Sequence, residues 1–281
     1  MADKWPIGVF TSVDAGLGVR LDVAHELGVR SAHLHTPHAE SRTPEKVAEL
    51  RQRLRDLGIA ISVVFAGFDG ESYEDIPTTQ RTVGLMPGET RAARAAELKA
   101  ISDFAAAIGV DVVGVHIGFV PHDTRAPEYA ALLATTRDVC GHLKRNGQSL
   151  HLETGQEPVD VLIRFLDDVG VDNLFVNFDP ANLILYGVGE PLPDLEKLGR
   201  RVRSVHCKDA IRSDKPGVTW GREVPLGDGD VDFAAFLKVL KKIGYDGPLT
   251  IEREIPREPD RQKAEIGRAI GLLQRLKQEV L

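Results

Sequence analysis

The chain has 281 residues, 42% of them hydrophobic and 27% charged, a balance that suits a water-exposed globular protein with one large core. No apolar run approaches the ~18 residues of a membrane span, which argues against a membrane protein. Acidic residues number 42 against 35 Lys plus Arg, and no basic stripe recurs along a predicted helix, which argues against a nucleic-acid binder that must neutralise phosphates.

Residues 1–6 lead into a strand-like segment without the basic start and apolar stretch of a secretory signal, predicting a cytoplasmic protein. Eight short apolar runs follow, at 7–10, 31–35, 59–65, 112–117, 149–153, 174–179, 202–208 and 249–252. Longer amphipathic segments separate them, the pattern of parallel strands joined by crossover helices.

After the second run, Thr43 as N-cap, Pro44 at the first turn, and Val47, Leu50, Leu54 and Leu57 at helical spacing predict a helix over 43–57. Gly28, Gly58, Gly109, Gly147, Gly170 and Gly244 each stand just before a new strand, where a left-handed residue ends a helix. Cys140 falls in a predicted helix and Cys207 in a strand, so both are read as buried, reduced thiols. Phe233, Phe236, Leu237, Leu240 and Ile243 form another apolar stripe, and Ile266, Ile270, Leu273, Leu276 and Val280 the last. Six joints of one kind, eight strands and no composition break predict an α/β fold, a single (β/α)8 TIM barrel over residues 1–281. Connections 66–89 and 209–230 are too long for simple joints and carry aromatics, so they are expected to be lids or substrate contacts at the barrel mouth.

The ionisable residues fall where such a barrel does chemistry. Glu153, Asp179, His206 and Glu252 stand at the C-terminal ends of the fifth to eighth predicted strands, which lie side by side around one mouth. Three carboxylates and an imidazole make a mixed oxygen and nitrogen site suited to manganese, magnesium, cobalt or zinc, with no soft ligand to favour copper. Lys208, two residues past His206, is expected on the same face, against substrate or a carboxylate. His33 and His35 are read as alternating, so that at most one faces the barrel axis. Asp69, Glu71, His122, Asp123 and Glu223 are read as solvated loop residues.

The segments GVHIGF (114–119), HLETGQ (151–156), NFDPAN (177–182), SVHCKD (204–209) and TIERE (250–254), in this order, resemble the xylose isomerase-like barrel superfamily of sugar isomerases and epimerases. That superfamily also holds sugar dehydratases and metal-dependent abasic-site endonucleases. The resemblance implies one divalent ion, manganese first, on Glu153, Asp179, His206 and Glu252, with Glu153 and Glu252 as catalytic acid and base. The ion would polarise a ketol unit while two carboxylates remove and return a proton. His116, Asn182, Lys208 and Arg212 are the candidate substrate-binding residues. Asn182 replaces the His that relatives carry after the metal-binding Asp, which argues for a single ion. The lack of His between Lys208 and Glu223 argues against an abasic-site endonuclease.

The implied function is a metal-dependent isomerase or epimerase of a small-molecule carbohydrate or its phosphate, with a dehydratase or lyase as the alternative. A non-catalytic sugar-binding barrel is the alternative of another class. A homo-oligomer would be ordinary for the fold.

Overall fold

The structure, a computed structural model, describes residues 4–281; the reading of the first three residues lies outside the described residues. In chain order the strands are β1 (Ile7–Thr11), β2 (Ser31–His35), β3 (Ala60–Phe65), β4 (Val112–Val115), β5 (Ser149–Glu153), β6 (Leu174–Phe178), β7 (Val202–Cys207), β8 (Asp209–Ile211), β9 (Arg222–Val224) and β10 (Leu249–Ile251). Eight of them close a parallel barrel in the order β1, β2, β3, β4, β5, β6, β7, β10 and back to β1. The other two, β8 and β9, form a separate antiparallel hairpin inside the long connection after β7.

Side chains alternate across each strand, so every barrel strand has an outer and an inner row. The outer row, with Val9, Leu34, Val64, Val113, Leu152 and Val205, joins the main core under the helices. The inner row is different. Phe10, Val63 and Phe65 make a small apolar cluster of their own, and the rest of the interior is largely polar, with His33, His151, Asn177, Ser204 and Thr250 all buried. A polar barrel interior needs internal partners, and His151 finds one in Ser204, 2.8 Å away.

The helices are α1 (Leu21–Glu26), α2 (Pro44–Leu57), α3 (Ile76–Thr82), α4 (Arg91–Ala107), α5 (Pro127–Arg145), α6 (Val159–Val169), α7 (Pro180–Tyr186), α8 (Pro191–Leu198), α9 (Phe233–Ile243) and α10 (Pro259–Val280). Helix α2 begins as its sequence predicts, with Thr43 accepting a hydrogen bond from the Lys46 N–H and Gly58 closing it at φ +63°. All six joint glycines have φ between +63° and +81°, a region that costs other residues ~1–2 kcal/mol. Among the described residues no helix is long and apolar enough to cross a membrane. Cys140 and Cys207 are both free and buried.

The two long connections are built rather than loose. In 66–89, Glu71 accepts from the N–H groups of Phe68 (3.1 Å) and Gly84 (2.7 Å). The buried Arg94 of α4 donates to the carbonyls of Thr82, Gly84 and Asp69. In 209–230, the Asp209 carboxylate accepts from the N–H groups of Ala210, Gly227, Gly229 and Val231, tying the hairpin to the start of α9.

Candidate metal centre

Strand register assembles the centre. Glu153 is the last residue of β5 and sits opposite Asn177 of β6, whose amide donates to its Oε1 at 3.4 Å. Asn177 in turn pairs with Ser204 of β7, so two residues further on, at the next inward step, Asp179 comes level with His206. His206 pairs with Thr250 of β10, which brings Lys208 level with Glu252 at the following step. A parallel barrel thus carries residues far apart in sequence to one spot.

The result is tight. One ligand atom from each of Glu153, Asp179, His206 and Glu252 lies within 4.8 Å of all the others. His206 Nδ1 is 2.6 Å from Glu153 Oε1, 2.6 Å from Glu252 Oε2 and 3.9 Å from Asp179 Oδ2. Asp179 divides its carboxylate between two duties. Oδ1 caps α7 by accepting from the N–H groups of Ala181 and Asn182, while Oδ2, fully buried, has no hydrogen-bond partner.

The surroundings set the charges. Burial alone would raise Glu153, but the His116 and His206 imidazoles hold its carboxyl below the usual range; His116 Nε2 lies 2.9 Å from Oε2. Burial likewise opposes ionised Glu252, and Lys208 with His206 brings it down to about 2. Burial works against charge on the two imidazoles as well. The carboxylates win, raising His206 to about 10 through Glu252 and Glu153, and His116 to about 9 through Glu153. Asp179 is pushed up to about 8 by burial, with the charges of Glu252 and Glu153 adding to it against Lys208. Glu153 and Glu252 are therefore ionised against the charged His206, His116 and Lys208, and among the three acids only Asp179 is pushed toward its protonated form.

A cavity of about 540 Å³ opens against Glu153 and Glu252. His116, Asn182 and Lys208 line it. Lys208 is pinned between Glu252 Oε1 at 3.2 Å and Glu223 Oε2 at 3.6 Å. Arg212 is not part of the lining. Its guanidinium donates to Glu190 and to the Gly189 carbonyl, because the hairpin turns the chain outward just after Ile211.

Two readings of the sequence need correction. His33 and His35 are two residues apart and therefore share a face: His33 lies 3.0 Å from His206 inside the barrel, and His35 lines the cavity. Glu71 and Glu223 are not solvated loop acids, since both line the cavity and are held in place, Glu223 by Arg253 at 2.6 Å. Tyr73 and Trp220, also in the lining, lie in the two connections expected to carry aromatic contacts, whereas Tyr186 and Glu254 were not singled out. For Glu254 a signal existed, because it stands two residues beyond Glu252. Gln156 was noted in the sequence as a changed position, and its amide lies 2.7 Å from His116 Nδ1 and donates to the Tyr186 hydroxyl at 3.2 Å.

Comparison with known proteins agrees with the barrel fold. A solved xylose isomerase domain protein from Planctomyces limnophilus is 53% identical, covers 99% of this chain and 99% of its own, and superposes with a TM-score of 0.96. An L-ribulose 3-epimerase structure shares the fold at 17% identity and a TM-score of 0.69, covering 98% of this chain and 96% of its own. An inosose dehydratase from Clostridium perfringens is 30% identical over 115 residues, so the chain matches only 38% of that relative's length and the relative 37% of this chain. The xylose isomerase-like TIM barrel family matches from residue 21 to residue 276, and the chain belongs to that family.

Proposed function

We propose that this protein is a divalent-metal-dependent isomerase or epimerase of an unphosphorylated sugar, with Glu153 and Glu252 moving a proton between adjacent carbons. The observation that carries the reading is two glutamates that belong to one four-residue ligand set and also line a cavity of about 540 Å³.

The residues fit one ion. Ligands on opposite sides of a small divalent ion, at ~2.1 Å each, lie about 4.2 Å apart, close to the 4.8 Å span of this cluster. The partnerless, buried Asp179 Oδ2 is an acceptor that a cation satisfies. All four donors are oxygen or nitrogen, which supports manganese, magnesium, cobalt or zinc. When bound, the ion would polarise a substrate carbonyl and lower the cost of negative charge on it.

The remaining steps belong to side chains. Glu153, kept ionised by His116, and Glu252, kept ionised by Lys208, are the proton carriers. Lys208 and His116 stand on the same wall, where a substrate oxygen would share N–H groups now paired with Glu252, Glu223 and Glu153. Phe10, Leu17, Phe65, Tyr73, Tyr186 and Trp220 supply an apolar wall for the C–H face of a sugar.

The charge of the lining selects against phosphate. Glu71, Glu223 and Glu254, the last raised to about 7 by burial, join Glu153 and Glu252 around the cavity, while its cations, Lys208 and the charged His116, are already paired with Glu252 and Glu153 and Arg212 is engaged elsewhere. Hydroxyl groups can donate to such acids; a phosphate dianion meets repulsion.

Incubation of the manganese-loaded protein with free ketoses in deuterium oxide should place deuterium on the carbon beside the carbonyl. Glu153→Gln and Glu252→Gln should each lower exchange by ~10²–10⁴-fold, and the phosphorylated ketoses should exchange poorly or not at all. Absence of exchange across a broad panel of free ketoses sinks the reading. The local similarity to inosose dehydratase favours a second one, in which the same proton abstraction expels water. An ultraviolet-absorbing unsaturated or dicarbonyl product identifies it. A sugar that binds without any turnover, equally in wild type and both Gln variants, would mark a binding protein instead.

A further inference from the structure

The two nitrogens of His206 face different surroundings. Nδ1 looks into the carboxylate cluster, 2.6 Å from Glu153 Oε1 and 2.6 Å from Glu252 Oε2. Nε2 looks down into the barrel, 3.0 Å from Nδ1 of His33. A neutral imidazole has one N–H and one lone pair, so a histidine that offers Nδ1 to a cation carries its proton on Nε2 and needs an acceptor there. His33 Nδ1 is the polar atom within hydrogen-bond distance of His206 Nε2.

We propose that His33 is a positioning residue for the metal centre: it accepts the Nε2–H of His206 and thereby fixes the tautomer and the ring angle that present the Nδ1 lone pair to the ion. Outer partners of metal-bound histidines are usually carboxylates, carbonyls or water; here the role falls to a second imidazole reaching across the barrel from β2 to β7.

The packing holds the pair in line. His33 is fully buried and stacks on Phe65 with centroids 5.6 Å apart and planes 27° from parallel. Phe65 also packs on His206 at 4.9 Å, and Phe10 meets the same ring edge-on at 5.7 Å. Phe10, Val63 and Phe65 are the small apolar cluster of the barrel interior, so this cluster acts as a vice around two imidazoles in an otherwise polar interior. A histidine that only filled space would be replaceable by phenylalanine.

The inference rests on the metal reading of the site and not on the sugar reaction, and its test measures no turnover. Isothermal titration with Mn²⁺ compares the metal-free wild type with His33→Phe, which keeps a ring but loses the acceptor, and His33→Gln, which keeps a side-chain acceptor. His33→Phe should bind Mn²⁺ ~10–100-fold more weakly, His33→Gln should recover part of that loss, and the metal-free melting temperatures should not follow this order. Equal Mn²⁺ affinity in wild type and His33→Phe overturns the inference, and so does equal weakening in both variants alongside equal losses of metal-free melting temperature.

A second measurement needs no variant. In ¹⁵N-histidine-labelled protein loaded with Zn²⁺, long-range proton–nitrogen correlations should show His206 protonated at Nε2 and His33 unprotonated at Nδ1. Zinc on Nε2 of His206, or a proton on Nδ1 of His33, overturns it. A wild type that takes up neither ion brings down the metal reading and this inference together, whereas metal uptake without sugar turnover leaves the inference standing and removes only the reaction.

Discussion

Glu157 is a buried acid that works against the fold at neutral pH. It is 2% exposed, and burial pushes the group up to about 8 against the pull of His116 and the Val120 N–H. Between roughly pH 4.5 and 8 the folded chain keeps a proton that the unfolded chain has released, so this residue makes stability fall as pH rises through that window. Glu157→Gln retains the shape and removes the linkage. Melting curves should show the variant near wild type at pH 5 and more stable by ~1–3 kcal/mol at pH 7.5; an equal difference at both pH values would refute this. Lys208→Met should leave Glu252 and Glu223 without their shared cation and cut turnover ~100-fold or more with the fold retained, as circular dichroism would confirm. At this scale the four-residue cluster was legible because each member ends an apolar run, and strand ends share one mouth in a parallel barrel. Arg212 was not, since six residues beyond His206 the chain has already entered a hairpin that sequence spacing does not reveal.

Elements carry the two insertions that wall the cavity, and each hangs on one buried side chain. Arg94 ties three carbonyls of the 66–89 segment to α4, so Arg94→Ala should free that segment, lowering stability by ~2–3 kcal/mol and exposing it to early cleavage by trypsin. Asp209 gathers four backbone N–H groups, and a Cβ on Gly229 would fall 2.2 Å from its Oδ1. Asp209→Ala should cost ~2–4 kcal/mol, read from urea denaturation, and Gly229→Ala a comparable amount. The barrel strands and the capped helix α2 were readable because apolar periodicity, Thr43 and the joint glycines all pointed one way. The β8–β9 hairpin was hidden for a physical reason: three-residue strands leave no periodic run, and their stability comes from the Asp209 bracket rather than from their own side chains. Helix α3 had a signal in Asp75, which caps it by accepting from the Thr78 N–H, but seven residues are too few for an amphipathic stripe.

At the scale of the whole molecule, one cluster draws on four barrel strands, so whatever fills it ties the closing half of the barrel together. A divalent ion at 100 times its dissociation constant should stabilise the fold by ~2.7 kcal/mol, or about 5–10 °C of melting temperature, reversed by a chelator. The cluster comes entirely from β5, β6, β7 and β10 or the residues just after them, whereas Leu17 and Tyr73 of the cavity wall come from the opening half of the chain and hydrogen-bond none of the four. Part of the cavity wall is therefore encoded apart from the four clustered residues, although Asn182, Tyr186, Lys208, Trp220 and Glu254 are not. Randomising positions 17 and 73 alone should redistribute sugar preference at constant metal affinity, which makes this barrel open to new substrates by changes that never touch its reactive core.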